Sequence, residues 1–339
     1  MLHVRLKSCW WGLALFLSCI LVATAQAAQP VHLIFDTDMD SDCDDVAALA
    51  ILHALADRGE ARILATPVSA RHLWSGPCVD AINTYFGRPE IPIGIPAHTP
   101  NTQGSSFAET VAREFPQDFP ELDKSPDAVD VYRKVLAEQP DGSVTLVTVG
   151  DLTNIRDVLK SVPDDISPLN GVELVSKKIC LWVCMGSRYP ADLDPRRWGN
   201  FKMDPLATVE SIRDWPGSIV FTGGGDFANA VAIGKRLREL PAENPVRRSY
   251  ELYFQGAARD RHSADPIAVL VAVRGTGEPW HLVSEGHNQI FANGTHQWHV
   301  TPDNPHHSYI SAFAAGISPE TVKGQLNQLM LHLPDKPKP

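Results

Sequence analysis

The chain has 339 residues and a formal net charge of −10 at pH 7, with 40 acidic against 30 basic residues. This acidic balance argues against nucleic acid as a partner, because binding to phosphate backbones depends on lysine and arginine. The length suits one large α/β domain, which we expect over residues 30–335, since no stretch indicates a linker between two domains.

The first 27 residues have the pattern of a cleaved secretory signal. Arg5 and Lys7 precede an apolar stretch over residues 10–22, and a small-x-small motif follows at residues 25–27. A membrane-spanning helix is the alternative, but the apolar stretch is shorter than the ~20 residues that a bilayer requires. We therefore expect a secreted or periplasmic protein without a stable membrane anchor. Cleavage removes two basic residues and no acid, which takes the net charge from −10 to −12.

The most informative segment follows the first apolar run, residues 31–35. Residues 36–45 read Asp-Thr-Asp-Met-Asp-Ser-Asp-Cys-Asp-Asp and precede a helix-like run over residues 46–57. So many carboxylates repel one another unless a cation lies among them, and their hard oxygens suit Ca²⁺ or Mg²⁺. A strand followed by a turn and a helix would place them at the carboxyl edge of a sheet, where open α/β folds hold their active sites.

This segment has two other interpretations. A solvated acidic loop is the common meaning of a charge run, but such a loop has no reason to lie tightly between two apolar elements. An EF-hand loop has acidic residues on alternate positions, as this segment does. However, Ser41 replaces the turn glycine, Ala47 replaces the closing glutamate, and no helix precedes the loop.

Further along the chain, short apolar runs alternate with segments of helical character. This alternation predicts a mostly parallel sheet with helices on both faces, a Rossmann-like α/β fold. Long loops rich in proline, glycine and asparagine over residues 87–106 and 186–200 are of a length that is often functional. The predicted strands are residues 31–35, 61–65, 144–149, 178–185 and 218–222, and the predicted helices are residues 46–57, 78–86, 128–138, 152–160, 204–213 and 229–240.

Four cysteines follow the predicted signal: Cys43, Cys78, Cys180 and Cys184. They lack the paired spacing of a zinc site, so buried free thiols are the default expectation. One disulfide is the alternative in an exported protein.

Four segments together resemble the inosine/uridine-type nucleoside hydrolases, a family that cleaves the N-glycosidic bond of ribonucleosides with a bound Ca²⁺. The first is the acidic turn, in which Asp-x-Asp is followed by Asp-Asp at the start of a helix. The second is Val-Thr-Leu-Val-Thr-Val-Gly-Asp-Leu-Thr-Asn-Ile at residues 144–155. The third runs from Cys-Met-Gly at residues 184–186 through Gly-Asn-Phe at 199–201 to Asp-Pro at 204–205, and the fourth is Ser-Ala-Asp-Pro-Ile-Ala-Val at residues 263–269.

This resemblance implies the nucleoside hydrolase fold and a Ca²⁺ site. Its expected ligands are Asp38, Asp45, Asp265 and the main-chain carbonyl of Val149, which leave room for a sugar diol and a water molecule. Asp44 is the expected general base, because it adjoins a ligand and the cation would keep it ionised. A helix N-cap is the alternative role for Asp265.

Three further aspartates of the acidic turn have less definite roles. Asp36 is expected to support the ligands from behind or to accept backbone hydrogen bonds. Asp40 and Asp42 either bind the cation within a longer loop or contribute only to the electrostatics of the turn.

For the substrate, the resemblance implies that Asn200 binds ribose and that Met185 lines the sugar, although core packing is the alternative for Met185. Trp198 would stack on a nucleobase or sugar, or simply pack. His262 and His72 are candidates to protonate the leaving base, although most unassigned histidines have no such role.

Three departures from the family pattern bear on the substrate. Trp198 stands where a glutamate commonly holds the 5′ hydroxyl, and Ala264 stands where a histidine commonly precedes the last calcium aspartate. The family's asparagine after the second strand is missing, since no asparagine occurs between residues 60 and 82. We therefore expect altered substrate recognition beside a retained metal site.

The expected function is Ca²⁺-dependent hydrolysis of the N-glycosidic bond of a ribonucleoside or related riboside, which gives ribose and a free base. A calcium-dependent sugar- or nucleoside-binding protein without turnover is one alternative. A phosphatase of the haloacid dehalogenase type is another, but Met39-Asp40-Ser41 does not supply the Gly-Thr of that motif. By analogy with relatives, we expect a homo-oligomer.

Overall fold

The computed structural model describes residues 29–301 and 306–334, so the predicted signal peptide over residues 1–27 lies outside the described residues. The strands are β1 (Val31–Asp36), β2 (Ala61–Ala65), β3 (Val144–Thr148), β4 (Ile179–Ser187), β5 (Ala191–Asp192), β6 (Ile219–Gly223), β7 (Trp280–Val283), β8 (His287–Ile290), β9 (His296–His299) and β10 (His307–Phe313). The helices are α1 (Asp44–Asp57), α2 (Ser75–Tyr85), α3 (Ala108–Glu114), α4 (Ala128–Glu138), α5 (Thr153–Lys160), α6 (Gly171–Lys178), α7 (Pro205–Asp214), α8 (Asp226–Asn229), α9 (Pro245–Tyr253), α10 (Ala264–Arg274) and α11 (Pro319–Met330).

The expected α/β architecture is confirmed. Within the described ranges, the main sheet has seven strands in the order β2-β1-β3-β4-β6-β10-β7. Every neighbouring pair is parallel except β10 and β7, which run antiparallel at one edge. Strands β5, β9 and β8 form a separate antiparallel sheet. The carboxyl ends of β1, β3, β4 and β6 therefore meet along the same edge.

Helices cover both faces of the main sheet. Side chains of β1 alternate between two apolar cores, since Leu33 and Phe35 belong to one and Ile34 to the other. The first core also contains residues of α1, α2, α3, α9, α10 and α11, and the second contains residues of α4, α5, α6 and α7. Burial on both sides explains why these strands are continuous apolar runs in the sequence.

The helix predicted over residues 229–240 is wrong. The structure has the short helix α8, which ends at Asn229, and a 3-10 turn over Lys235–Glu239. Gly234 separates them with a φ of +134°, a backbone conformation that an α-helix does not contain. A Cβ at this position would lie 2.3 Å from the carbonyl oxygen of Arg259, so the chain needs glycine here.

All four cysteines are free thiols, as the default expectation states. Cys43, Cys78 and Cys184 are buried, as expected. Cys180 is exposed, so the prediction that it is buried is wrong. None of the helices in the described ranges has both the length and the apolar composition needed to cross a bilayer.

His53 in α1 should make the stability of the fold sensitive to acid. It is fully buried, stacks on Phe86, and places Nε2 2.9 Å from Oδ1 of Asn83. Burial, aided by the charge of Arg88, lowers the pKa of His53 to about 3. An unfolded histidine has a pKa of about 6.5, so below that pH the unfolded state binds more protons. The free energy of unfolding should therefore fall by up to about 1.4 kcal/mol per pH unit as the pH drops from about 6.5 toward 3.

Urea denaturation between pH 7 and pH 4 checks this expectation. His53→Gln should be less stable than wild type at pH 7 but should lose stability less steeply on acidification. His281→Gln changes an exposed histidine and should follow the wild-type slope. Equal slopes for wild type and His53→Gln would contradict the assignment.

Candidate active site

A cavity of about 360 Å³ opens where the carboxyl ends of the central strands meet the N-terminus of α1. Most of the residues singled out in the sequence line it, although they come from distant parts of the chain. The residues brought together are Asp38, Asp42, Asp44, Asp45, Val149, Met185, Trp198, Asn200, His262 and Asp265.

The loop between β1 and α1 folds tightly over the end of the sheet. Met39 and Ser41 adopt left-handed φ values of 48° and 40°, which turn the chain twice before α1 begins. A Cβ on Gly150, which follows β3, would lie 2.7 Å from the backbone nitrogen of Asp38. Only glycine permits this approach, so Gly150 fixes the distance between the acidic loop and β3.

Three carboxylates form a compact group within the cavity. One oxygen each from Asp44, Asp45 and Asp265 lie within 4.8 Å of one another, and all three residues are buried. Thr37 Oγ1 donates to Oδ1 of Asp45, and the backbone nitrogen of Asp265 donates to Oδ2 of Asp44 at 3.3 Å. Asp265 lies within the first turn of α10, whose N-cap is Ser263, so the alternative N-cap role is wrong.

Electrostatics support a cation in this group. Burial and then the charges of neighbouring aspartates raise the pKa values of Asp38, Asp45 and Asp265 well above the ordinary value. Buried carboxylates this close together are therefore costly when all are ionised. Their oxygen donors are those that a hard divalent ion prefers, so the residues fit a Ca²⁺ or Mg²⁺ site.

Val149, Asn200 and Met185 meet next to the carboxylates. The side-chain amide of Asn200 donates to the carbonyl oxygen of Val149 at 2.5 Å and to that of Met185 at 3.1 Å. The residue expected to bind ribose is thus in direct contact with the carbonyl expected to bind metal. The group expected to bind the sugar and the group expected to bind the metal are therefore neighbours.

His262 lies between two aspartates. Its Nε2 is 3.2 Å from Oδ2 of Asp42, and its Nδ1 is 3.1 Å from Oδ2 of Asp44. The charge of Asp44, opposed by burial, raises the pKa of His262 to about 10. Nε of Arg261 donates to the same Asp42 oxygen at 3.1 Å. His262 is therefore a cation at neutral pH, held beside the candidate base.

The two aspartates of this group differ in proton affinity. Burial, reinforced by the charge of Asp42, raises the pKa of Asp44 to about 6. Burial alone would also raise the pKa of Asp42, but its hydrogen bonds with Asp44 and His262 and the charge of Arg261 lower it far below the usual range. Asp42 thus remains ionised, whereas Asp44 is able to gain and lose a proton near neutral pH.

Three of the candidate residues do not line the cavity. Asp36 accepts hydrogen bonds from Tyr132 at 2.7 Å and Asn154 at 2.9 Å, and burial raises its pKa to about 8. Asp40 is fully buried, and burial raises its pKa to about 6. The ring of His72 packs directly against Gly104, where an added Cβ would clash with it. Its Nδ1 accepts a hydrogen bond from the backbone nitrogen of Trp74 at 3.3 Å.

The sequence reasoning missed a set of cavity residues that includes three arginines. Arg188 and Arg197 belong to the long loop over residues 186–200, whose length was the only signal for them. Arg261 precedes His262 in the chain, and Gly224 and Gly225 belong to a glycine run that indicates a tight turn. The residues missed are Ser187, Arg188, Asp192, Arg197, Asn229 and Arg261.

Solved structures share this architecture. A plant nucleoside hydrolase, PpNRh1, superposes with a TM-score of 0.64 at 17% identity, covering 89% of this chain and 99% of its own. The inosine-uridine preferring nucleoside hydrolase from Bacillus anthracis gives 0.63 at 14% identity, with 88% and 98% covered. The type III effector protein XopQ, in a structure complexed with adenosine diphosphate ribose, gives 0.60 at 17% identity, with 89% and 93% covered.

No protein-family model and no curated protein sequence matches the chain. The likeness therefore rests on the course of the backbone over nearly the whole length of the compared chains. The chain has the nucleoside hydrolase fold.

Proposed function

We propose that the chain is a metal-dependent hydrolase that cleaves the N-glycosidic bond of a ribonucleoside or a related riboside, with Ca²⁺ as its metal. One observation carries this proposal. Asp44 and Asp265, which are 221 positions apart in the chain, meet in one cavity with Asp45 and with Asn200 nearby. Two structures that share the fold are named nucleoside hydrolases, which supports the same reaction here.

Asp38, Asp45, Asp265 and the carbonyl of Val149 would hold the metal. When bound, a divalent ion of this kind lowers the pKa of a water molecule and holds a sugar diol. Asp36 accepts from Tyr132 and Asn154 behind the cavity, which fits a residue that fixes the end of β1 beneath these ligands.

The chain's own side chains position the reacting groups. The C1′–N bond breaks, and its electron pair goes to the nitrogen of the leaving base, which takes a proton from solvent. Water forms the new bond to C1′ and gives a proton to Asp44, which the neighbouring cation would keep ionised near neutral pH. His262, whose two ring nitrogens face Asp42 and Asp44, holds Asp44 in place, while Asn200 and Met185 hold the sugar. Trp198, with 49% of its surface exposed, offers an aromatic face at the opening.

A binding protein without turnover is the second candidate. Trp198 and Ala264 occupy positions where nucleoside hydrolases commonly carry an acid and a histidine. A structure with the same fold, that of XopQ, holds adenosine diphosphate ribose. Ligand binding without product release would favour this candidate over the hydrolase.

Base release from a panel of purine and pyrimidine nucleosides, measured by chromatography, tests the proposal. We expect release from at least one of them in Ca²⁺ and at least a hundredfold slower release in a chelator, since a bound cation would lower the pKa of the attacking water. Binding of nucleosides with no product from any of them would overturn the enzymatic proposal. Restoration of full activity by Mg²⁺ alone would overturn the choice of Ca²⁺.

We further propose that the protein is exported by the signal over residues 1–27 and that it forms a homo-oligomer. Export predicts an amino terminus near residue 28 in the mature protein. Light scattering of the purified protein would measure the oligomeric state, and a monomeric mass would contradict that part of the proposal.

A further inference from the structure

Charge is divided unequally along the cavity. The deep end carries buried aspartates, of which Asp44 is 2% and Asp45 3% exposed. The solvent end carries Trp198, which is 49% exposed, and Arg197, whose side chain is 46% exposed. A ligand that fills the cavity meets an exposed arginine at the solvent end, where Asp192 is the neighbouring acid.

Arg188 lines the cavity without an acidic partner. Its side chain lies along Gly225, where an added Cβ would come within 3.0 Å of its Nε. In residues 29–301 and 306–334 its guanidinium group forms no ion pair with a carboxylate. Its charge thus remains available to a ligand.

Arg197 is only weakly neutralised. Its Nη1 lies 3.7 Å from Oδ1 of Asp192, while Nζ of Lys202 lies closer to that carboxylate, at 2.9 Å from Oδ2. Ser187 Oγ also donates to Oδ2 of Asp192 at 3.2 Å. Lys202 and Ser187 both contact Oδ2 of Asp192, whereas Oδ1 has no hydrogen-bond partner among the described residues and Arg197 is its long-range ion-pair neighbour. Lys202 would therefore still pair with Asp192 if Arg197 turned toward an anion.

The glycine pair at residues 224 and 225 connects the sugar end of the cavity to Arg188. A Cβ on Gly224 would lie 3.7 Å from Cε of Met185, and Met185 in turn contacts Asn200. The wall from Asn200 through Met185 and the two glycines ends at Arg188. If Asn200 holds the sugar, an anionic group attached to that sugar can extend along this wall, because the two glycines have no side chains to block it.

The geometry points to a phosphate subsite formed by Arg188 and Arg197, which makes a 5′-phosphorylated N-riboside a better substrate than the neutral nucleoside. This inference rests on the proposed function for the placement of the sugar. Suppose that C1′ faces Asp44 and that the C2′ and C3′ hydroxyls face the buried carboxylates. C5′, the exocyclic carbon of ribose, is then the position left to carry an anionic group. Guanidinium groups bind phosphate in a bidentate manner, and two of them line this part of the cavity.

Calorimetric titration of the full chain in Ca²⁺ with ribose 5-phosphate, ribose and inorganic phosphate tests the subsite separately from catalysis. We expect ribose 5-phosphate to bind at least tenfold more tightly than ribose, as charge-assisted hydrogen bonds to one guanidinium group allow. Arg188→Gln should remove most of this preference, Arg188→Lys should keep part of it, and Arg197→Gln should reduce it. Arg196→Gln is the matched control, because Arg196 is the neighbouring arginine, pairs with Asp194, and does not line the cavity.

Hydrolysis is measured in parallel with a nucleoside 5′-monophosphate and its parent nucleoside. In Arg188→Gln, KM for the monophosphate should rise at least tenfold more than KM for the parent nucleoside. Retained preference for ribose 5-phosphate without hydrolysis of any substrate would support the subsite and sink the proposed function. Equal binding of ribose and ribose 5-phosphate by the wild type would overturn the subsite. So would a loss of this preference in Arg196→Gln as large as that in Arg188→Gln. Preference for a nucleoside with a carboxylated base, without preference for ribose 5-phosphate, would also overturn it.

Discussion

Asp45→Asn is expected to abolish stabilisation by Ca²⁺ and, at the same time, to raise the melting temperature of the metal-free protein. In wild type, Ca²⁺ at a hundredfold excess over its Kd should stabilise the fold by about 2.7 kcal/mol. Asp45 is buried against Asp44 and Asp265, and burial, followed by the charge of Asp44, raises its pKa. An asparagine removes a repelling charge while its carbonyl can still accept from Thr37. The loss of a ligand should therefore remove the stabilisation by Ca²⁺, whereas the relief of repulsion should stabilise the metal-free protein.

Thermal unfolding with and without Ca²⁺ measures both effects. Asp226→Asn is the matched control, because it makes the same charge change at an exposed residue that does not line the cavity. This control should keep the full response to Ca²⁺ and the wild-type melting temperature in chelator. A wild-type response to Ca²⁺ in Asp45→Asn would remove Asp45 from the metal site. A lower melting temperature of Asp45→Asn in chelator would contradict the repulsion argument.

Asp44→Asn should lower kcat by about 10² to 10⁴, the usual contribution of a general base. The asparagine keeps the size of the side chain, so substrate binding should change little. The affinity for Ca²⁺ should stay within about tenfold of wild type, because three aspartates and a carbonyl still provide oxygen ligands. Without the charge of Asp44, which is the largest cause of its raised pKa, His262 should also titrate at a lower pH.

Steady-state kinetics on the best substrate of the panel, together with calcium titration, separate the possible roles of Asp44. A fall in kcat with nearly unchanged calcium affinity supports the general base. A loss of calcium affinity as large as that in Asp45→Asn would instead make Asp44 a ligand. Its oxygen lies within 4.8 Å of those of Asp45 and Asp265, so the kinetics and the titration must be read together.

The sequence predicted the central strands well because both of their faces are buried. β2 matches the predicted range, and β1, β3, β4 and β6 differ from it by two residues or fewer at either end. The later strands were missed for a physical reason. β7 to β10 contain histidine, asparagine, glutamine or serine among their apolar residues, so neither a continuous apolar run nor strict alternation marks them.

The acidic part of the site was predictable because charge density is a local property of the sequence. That Asp265 meets Asp44 and Asp45 depends on how α10 packs against α1, and only the family resemblance indicated it. Arg188 and Arg197 could not be identified in the same way. An arginine in a loop is usually solvated, and only the folded course of residues 186–200 brings these two to the cavity.

The distance along the chain between the acidic turn and α10 has a consequence for biosynthesis. The aspartates of the turn leave the ribosome early, whereas Asp265 is added only after most of the polypeptide has been translated. A nascent chain therefore carries this turn without its last carboxylate partner for most of its synthesis. At the proposed site, a cation would reach its full set of ligands only after the α10 segment has docked, so it would stabilise the finished fold rather than start its formation.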